Sequence, residues 1–162
     1  MSTLAPMIDA WVEGHREFSI ALEGVADEDL WRRAHPRLLS IGELSAHIAY
    51  AQGVWILGPG GVQPDLAELP IQSPLLDHAV RYYPYNVEAP FQLEMGTDQL
   101  LAEVMRIHEA AKSSLANREQ EHPHPNWETW GNLMQYQAFH VAYHTGQIYS
   151  VRQLMGHETP DN

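Results

Sequence analysis

The sequence predicts an all-α protein, a four-helix bundle with a long connection between its second and third helices. Four segments repeat apolar residues at spacings of three and four, which is the period of an amphipathic helix. No segment alternates polar and apolar residues as a half-buried strand would. Four such helices without a sheet bury their apolar stripes most readily against one another.

The first two predicted helices have clear boundaries. The first runs from about residue 6 to residue 23, and Pro6 suits its first turn because the missing N–H is not needed there. The second begins at Ser40, where Ser40 and Glu43 have the spacing of a capping box. The Gly-Pro-Gly-Gly run at residues 58–61 ends it.

The last two predicted helices follow the long connection. We expect the third to start with Thr97 as its N-cap and to carry its apolar stripe to Leu115. The fourth should begin near residue 126 or at Thr129 and run to Met155. Gly156 is the expected stop, because glycine is the usual residue just beyond a helix C-terminus.

Length and composition limit the classes of protein to which the chain can belong. The 162 residues fit one domain spanning 1–162. Nine Lys and Arg against 21 Asp and Glu give a net charge of −12, which repels phosphate backbones and anionic lipids, so neither nucleic acid nor a membrane is an expected partner. There is no cysteine, no secretory signal and no run of apolar residues long enough to span a bilayer, so we expect a cytoplasmic protein.

Ten histidines make imidazole the obvious metal ligand in a chain without cysteine. His140 and His144 stand four apart on the fourth helix, so they point to the same side and can bind one ion. Valine at position 141 rules out the H-E-x-x-H zinc-protease pattern and its glutamate base. The alternative is a pair of histidines that only pack in the interior.

His47 lies in the apolar stripe of the second helix, between Leu44 and Ile48. A histidine there is either a hydrogen-bonded core residue or a third ligand, since facing helices of a bundle often supply metal sites. Three ligands would leave positions open for water or substrate, as in catalytic sites. We expect the ring nitrogens of His47, His140 and His144 to lie within about 4.5 Å of one another if they share an ion.

The stretches LSIGELSAHIAYAQ (residues 39–52) and FHVAYHTGQIYSVRQLMG (residues 139–156) resemble the DinB-like superfamily of metal-binding four-helix bundles. The resemblance implies that His47, His140 and His144 bind a divalent metal, often nickel or zinc. It also implies a homodimer. Family members include transferases and isomerases that use a low-molecular-weight thiol (bacillithiol, mycothiol or glutathione), and others are described as hydrolases. Thr145 stands where an arginine is frequent in the family.

The sequence therefore favours a metal-dependent enzyme acting on a small-molecule substrate, of the hydrolase or thiol S-transferase type. No protein nucleophile is apparent, so the metal would carry the chemistry. The alternative is a non-catalytic module that binds metal or a small ligand in sensing or stress. A plain helical scaffold with three buried, metal-free histidines is a third reading.

Several further residues could contribute to such a site. His15 and His108 lie on the stripes of the first and third helices, where each is either an additional metal-site group or a buried, hydrogen-bonded residue. Gln147 either contacts a metal-bound water or a group next to the metal ligands, or only packs between helices. Arg152 either reaches an anionic substrate or, as we prefer, forms a surface salt bridge. Gly146 suggests a close helix approach, because glycine is costly inside a helix.

The connection at residues 58–96 is rich in proline and aromatic residues. We predict that it folds over the bundle, with one or more of Tyr82, Tyr83 and Tyr85 at the entrance to the metal site. The alternative is that it only seals an edge of the bundle or forms a dimer contact. His122 and His124 fall in a loop, where we expect both to be solvated.

Overall fold

The protein is mainly α-helical in the computed structural model, which describes residues 3–58, 65–80 and 90–160. The α-helices are α1 (Ala5–Leu22), α2 (Asp27–Leu30), α3 (Ile41–Gln52), α4 (Thr97–Ser114) and α5 (Trp130–Leu154). A π-helical turn, Gly53–Leu57, extends α3, and short 3₁₀ turns cover Leu66–Glu68, Pro74–Leu76 and His78–Val80. Two short antiparallel strands, β1 (Pro123–His124) and β2 (Glu128–Thr129), precede α5 and were not predicted.

The predicted start of α3 is confirmed. The Glu43 backbone N–H donates to the Ser40 hydroxyl at 3.1 Å, and the Ser40 N–H donates to the Glu43 carboxylate at 2.8 Å. This reciprocal pair satisfies two N–H groups that a helix start otherwise leaves without partners. The same carboxylate forms a buried ion pair with Arg33 and accepts from the Phe91 N–H at 3.2 Å. Glu43 thereby ties two connecting segments to the start of α3.

The predicted N-cap of α4 is wrong. Gly96 holds the cap position, and Thr97 is the first helical residue. The Thr97 backbone N–H donates to the Asp27 carboxylate at 2.8 Å, so an acidic residue of α2 supplies the acceptor that a capping side chain would have given. Thr129 does cap α5, since its hydroxyl accepts from the Asn132 N–H at 3.2 Å.

The four long helices pack against one another in pairs. Helix α1 lies mainly on α5, α3 contacts both α4 and α5, and α4 also touches α1. Their shared interior holds fully buried aromatic and aliphatic side chains, among them Trp11, Phe18, Leu44, Leu100 and Ile148. The contact between α3 and α5 matters most for function, because His47 lies on one of these helices and His140 and His144 lie on the other.

Two expectations about α5 are wrong. Among the described residues, a Cβ atom at Gly146 would meet no atom of another segment within 4 Å, so no close approach of another described helix explains the glycine. Arg152 has no salt-bridge partner among the described residues. Its guanidinium is buried and donates to the carbonyls of Ala21, at 2.7 Å, and Glu158, at 3.0 Å. Arg152 therefore joins the end of α1 to the chain after α5. None of the helices in the described ranges has the length and apolar character of a membrane span.

Candidate metal centre

The packing of α3 on α5 brings His47, His140 and His144 together, and we call these three residues the histidine triad. Their ring centroids are 4.4–5.0 Å apart in pairs. The Nε2 atoms of His47 and His140 are 3.2 Å apart. One ligand atom from each residue can be chosen so that all three lie within 4.8 Å of one another.

This spacing is close to that of a metal site. Two metal–nitrogen bonds of about 2.1 Å place their nitrogens no more than about 4.2 Å apart. The His47–His140 pair meets the expected limit of about 4.5 Å, whereas the group of three meets only the looser separation of 4.8 Å.

Hydrogen bonds to two of the three rings favour coordination through Nε2. The Nδ1–H of His144 donates to the side-chain oxygen of Gln147 at 2.6 Å, and the Nδ1–H of His47 donates to the Val80 carbonyl at 3.4 Å. A carbonyl oxygen can only accept, so each of these rings carries its proton on Nδ1 and presents a lone pair on Nε2. Gln147, which the sequence suggested as an accessory residue, thus orients a triad histidine.

The surroundings also keep the triad uncharged at neutral pH. Burial, with a contribution from nearby His144, lowers the pKa of His47 to about 4. Burial, together with the neighbouring histidines, lowers the pKa of His140 to about 2. Burial lowers the pKa of His144 as well. Neutral imidazole is the ligating form, so the residues fit a divalent metal without having to lose protons first.

His15 and His108 do not join the triad. Within the described ranges, the group with metal-ligand spacing contains only the three triad histidines. His15 and His108 instead stack on each other, with ring centroids 4.0 Å apart, and Trp11 packs against both. Together with Gln52 these residues form what we call the buried polar cluster, between α1, α3 and α4.

The buried polar cluster is chemically unusual for a protein core. Among the described residues, no partner within hydrogen-bond geometry is found for the buried atoms Trp11 Nε1, His15 Nε2, Gln52 Oε1 and His108 Nδ1, although the Gln52 side chain lies near enough to His15 to raise its pKa slightly. Burial, followed by the nearby charge of His108, lowers the pKa of His15 to about 3. Burial and the positive charge of Lys112 lower the pKa of His108 to about 4. The cluster is therefore held in its uncharged form by the core around it.

The other site predictions have mixed outcomes. Tyr82, Tyr83 and Tyr85 lie outside the described residues, so their predicted position at the site entrance stays a prediction. The expectation for His124 is wrong: its ring is buried, and Nε2 lies 3.2 Å from the Trp55 carbonyl. His122 is exposed, as expected.

One comparison with known proteins identifies a family. A family model described as the DinB superfamily matches residues 10–148, a span that includes the whole triad. No curated protein and no solved structure matches the chain significantly.

Proposed function

The chain belongs to the DinB superfamily, and from this premise we propose that it is a divalent-metal-binding protein and a metal-dependent enzyme acting on a small molecule. In this proposal residues 1–162 form a single domain whose four long helices make a bundle around the metal site. The metal is nickel or zinc, held by His47, His140 and His144.

The observation that carries the proposal is the meeting of three neutral, nearly buried imidazoles from two helices. The three histidines have depressed pKa values and converging nitrogens, and without an ion the Nε2 atoms of His47 and His140 can share one hydrogen bond at 3.2 Å. A bound divalent ion supplies one partner for all three. The oriented Nδ1–H groups of His47 and His144 support the same assignment, because metal-binding histidines usually donate their second nitrogen to an oxygen.

The donor set favours catalysis over a closed structural site. Within the described ranges the group offers three ligands and no carboxylate or fourth histidine. A divalent ion held by three neutral ligands keeps its positive charge, and it would lower the pKa of water or of a small thiol and polarise a substrate. The protein's own part is to hold the three nitrogens, to fix the tautomers of His144 and His47 through Gln147 and Val80, and to keep water away from the buried side of the rings.

Two reaction types fit this arrangement, hydrolysis and transfer of a low-molecular-weight thiol. The chain contains no cysteine, so a thiol would have to come from a small molecule. We further propose a cytoplasmic homodimer whose partners are small molecules. Its net charge of −12 does not suit nucleic acid or an anionic membrane surface.

Elemental analysis of untagged protein tests the metal assignment. We expect about one nickel or zinc ion per chain in the wild type, and far less in His47→Gln and His140→Ala. His35→Ala, a change at an exposed histidine outside the triad, is the matched control and should keep the metal. Equal metal content in all four proteins would contradict ligation by the triad.

Activity assays on the metal-loaded protein then test the enzyme assignment. The assays should cover simple ester and amide hydrolysis and conjugation of electrophiles with glutathione, bacillithiol and mycothiol. Turnover that disappears in His140→Ala supports an enzyme. Tight metal binding without turnover in any assay would instead assign the chain to non-catalytic metal binding.

A further inference from the structure

A cavity of about 250 Å³ lies beside the histidine triad, between α3, α5 and the segment that precedes α3. Its walls combine four aliphatic side chains with one amide and one guanidinium. The lining residues are Arg37, Leu38, Leu39, Leu44, Gln147 and Val151. We call this cavity the Arg37 pocket.

The Arg37 pocket adjoins the triad along both helices. Leu44 precedes His47 by three residues on α3, and Val151 follows His144 by seven residues on α5. Three to four residues make one helical turn of about 5.4 Å, so the pocket begins within about one turn of the triad. Gln147 belongs to both places: it lines the pocket, and it accepts the hydrogen bond from His144 Nδ1 at 2.6 Å.

Arg37 stands apart from the other cations of this acidic chain. Among the described residues, every other Arg or Lys side chain has an ion pair, a hydrogen bond or an aromatic partner. The Arg37 guanidinium has none of these, and no carboxylate lines the pocket. An unpaired guanidinium beside apolar walls is suited to bind an anion, and it matches a carboxylate with two parallel hydrogen bonds.

From these observations we infer that the Arg37 pocket binds a small carboxylate with a short aliphatic body. The carboxylate pairs with Arg37, and the aliphatic body packs on Leu38, Leu39 and Val151. The far end of the molecule contacts the Gln147 amide and so comes close to the triad. The inference deepens the proposed function, on which it rests for the role of the pocket as a substrate site.

The size of the pocket limits the length of its ligand. Pockets for drug-sized molecules usually enclose roughly 300–1,000 Å³, and this one is smaller. Hexanoate has the required carboxylate and a short aliphatic chain, so it is a suitable probe. Hexanamide has nearly the same shape without the charge, and acetate has the charge without the apolar body.

Binding is best measured by two-dimensional amide NMR titration of the full chain, as purified with its metal. Hexanoate should shift the signals of Leu39, Leu44 and Val151. Hexanamide and acetate should each bind about tenfold more weakly, because each lacks one of the two interactions. Arg37→Gln should weaken hexanoate binding about tenfold, whereas Arg16→Gln, which removes the same charge from the exposed surface of α1, should leave it unchanged.

Three results would overturn the inference: equal hexanoate affinity in Arg37→Gln and the wild type, equal affinity for hexanoate and hexanamide, or shifts confined to residues outside the pocket. Thermal melting of both variants checks that the fold is intact. Repeating the titration after metal removal by a chelator separates the two proposals. If the purified protein contains no metal and takes none up, yet its hexanoate binding depends on Arg37, the pocket is supported and the metal proposal is contradicted. Bound metal with no effect of Arg37→Gln would do the opposite.

Discussion

The buried polar cluster should make the stability of the protein fall in mild acid. Core burial lowers the pKa of His15 to about 3, whereas an unfolded histidine has a pKa near 6.5. The unfolded chain therefore binds a proton at a higher pH than the folded chain does. The contribution of His15 to stability is complete above about pH 6.5 and decreases as the pH falls from there toward 3.

The size of this effect follows from the two pKa values. At pH 5 the unfolded histidine is almost fully protonated, and the folded one is almost fully neutral. Proton binding then favours the unfolded chain by about 2 kcal/mol at 25 °C. Replacing His15 with leucine, a side chain of similar size that does not titrate, should remove this contribution.

Urea denaturation at pH 7 and pH 5 in the presence of a chelator measures the difference. Between these pH values the wild type should lose about 2 kcal/mol more unfolding free energy than His15→Leu, because the triad histidines titrate in both proteins and cancel. Phe18→Leu, a change at a neighbouring buried residue, is the control, and its cost should be the same at both pH values. Parallel losses in the wild type and His15→Leu would refute the reasoning.

The remaining predictions concern the triad and two helix glycines, one on α5 and one on α3. Ordinary histidines would lose a bound metal to protonation below about pH 6. Because burial lowers the pKa of all three triad histidines, metal affinity should persist below that pH. Chelator competition from pH 8 to pH 4.5 measures this, and complete loss of affinity by pH 6 would contradict it. Gln147→Ala should lower metal affinity about 10- to 100-fold with all three ligands in place, as the same competition assay would show. Gly146→Ala should raise the unfolding free energy by about 0.5–1 kcal/mol, because a Cβ there would contact no other described segment. Gly42→Ala should lower the unfolding free energy, because a Cβ there would lie 2.5 Å from the Trp31 ring. Urea denaturation of both glycine variants measures the two changes, and changes of the same sign and size would contradict the prediction.

Local sequence signals were reliable where the neighbouring residues determine the structure. The Ser40–Glu43 pair predicted the start of α3 correctly, because both partners in a capping box lie within one turn. The prediction that Thr97 is the N-cap of α4 was wrong. The Thr97 N–H is satisfied by Asp27, which lies 70 residues away, and no local pattern announces such a partner.

The short strands before α5 show the same limit. Each has two residues, too few for alternation of polar and apolar side chains to appear. Their pairing places His124 against the Trp55 carbonyl, which explains why a histidine between two prolines is buried. Neither the pairing nor the burial could be predicted from the segment itself.

The sequence by itself determined the helices and the candidate ligands. Apolar residues at spacings of three and four predicted the long helices, and the four-residue spacing of His140 and His144 placed them on one side of α5. These properties depend on the geometry of a single helix. The spacing of histidines along the chain carries no information about which helix lies next to which.

Only the tertiary structure decided how the core histidines are grouped. The packing of α3 on α5 joins His47 to His140 and His144, whereas the packing of α1 near α4 joins His15 to His108. The tertiary structure also placed Arg37 in a pocket next to the triad. The physical reason is that these neighbours are separated by many residues along the chain. Their contacts depend on how whole apolar stripes pack, which is a property of all the helices together.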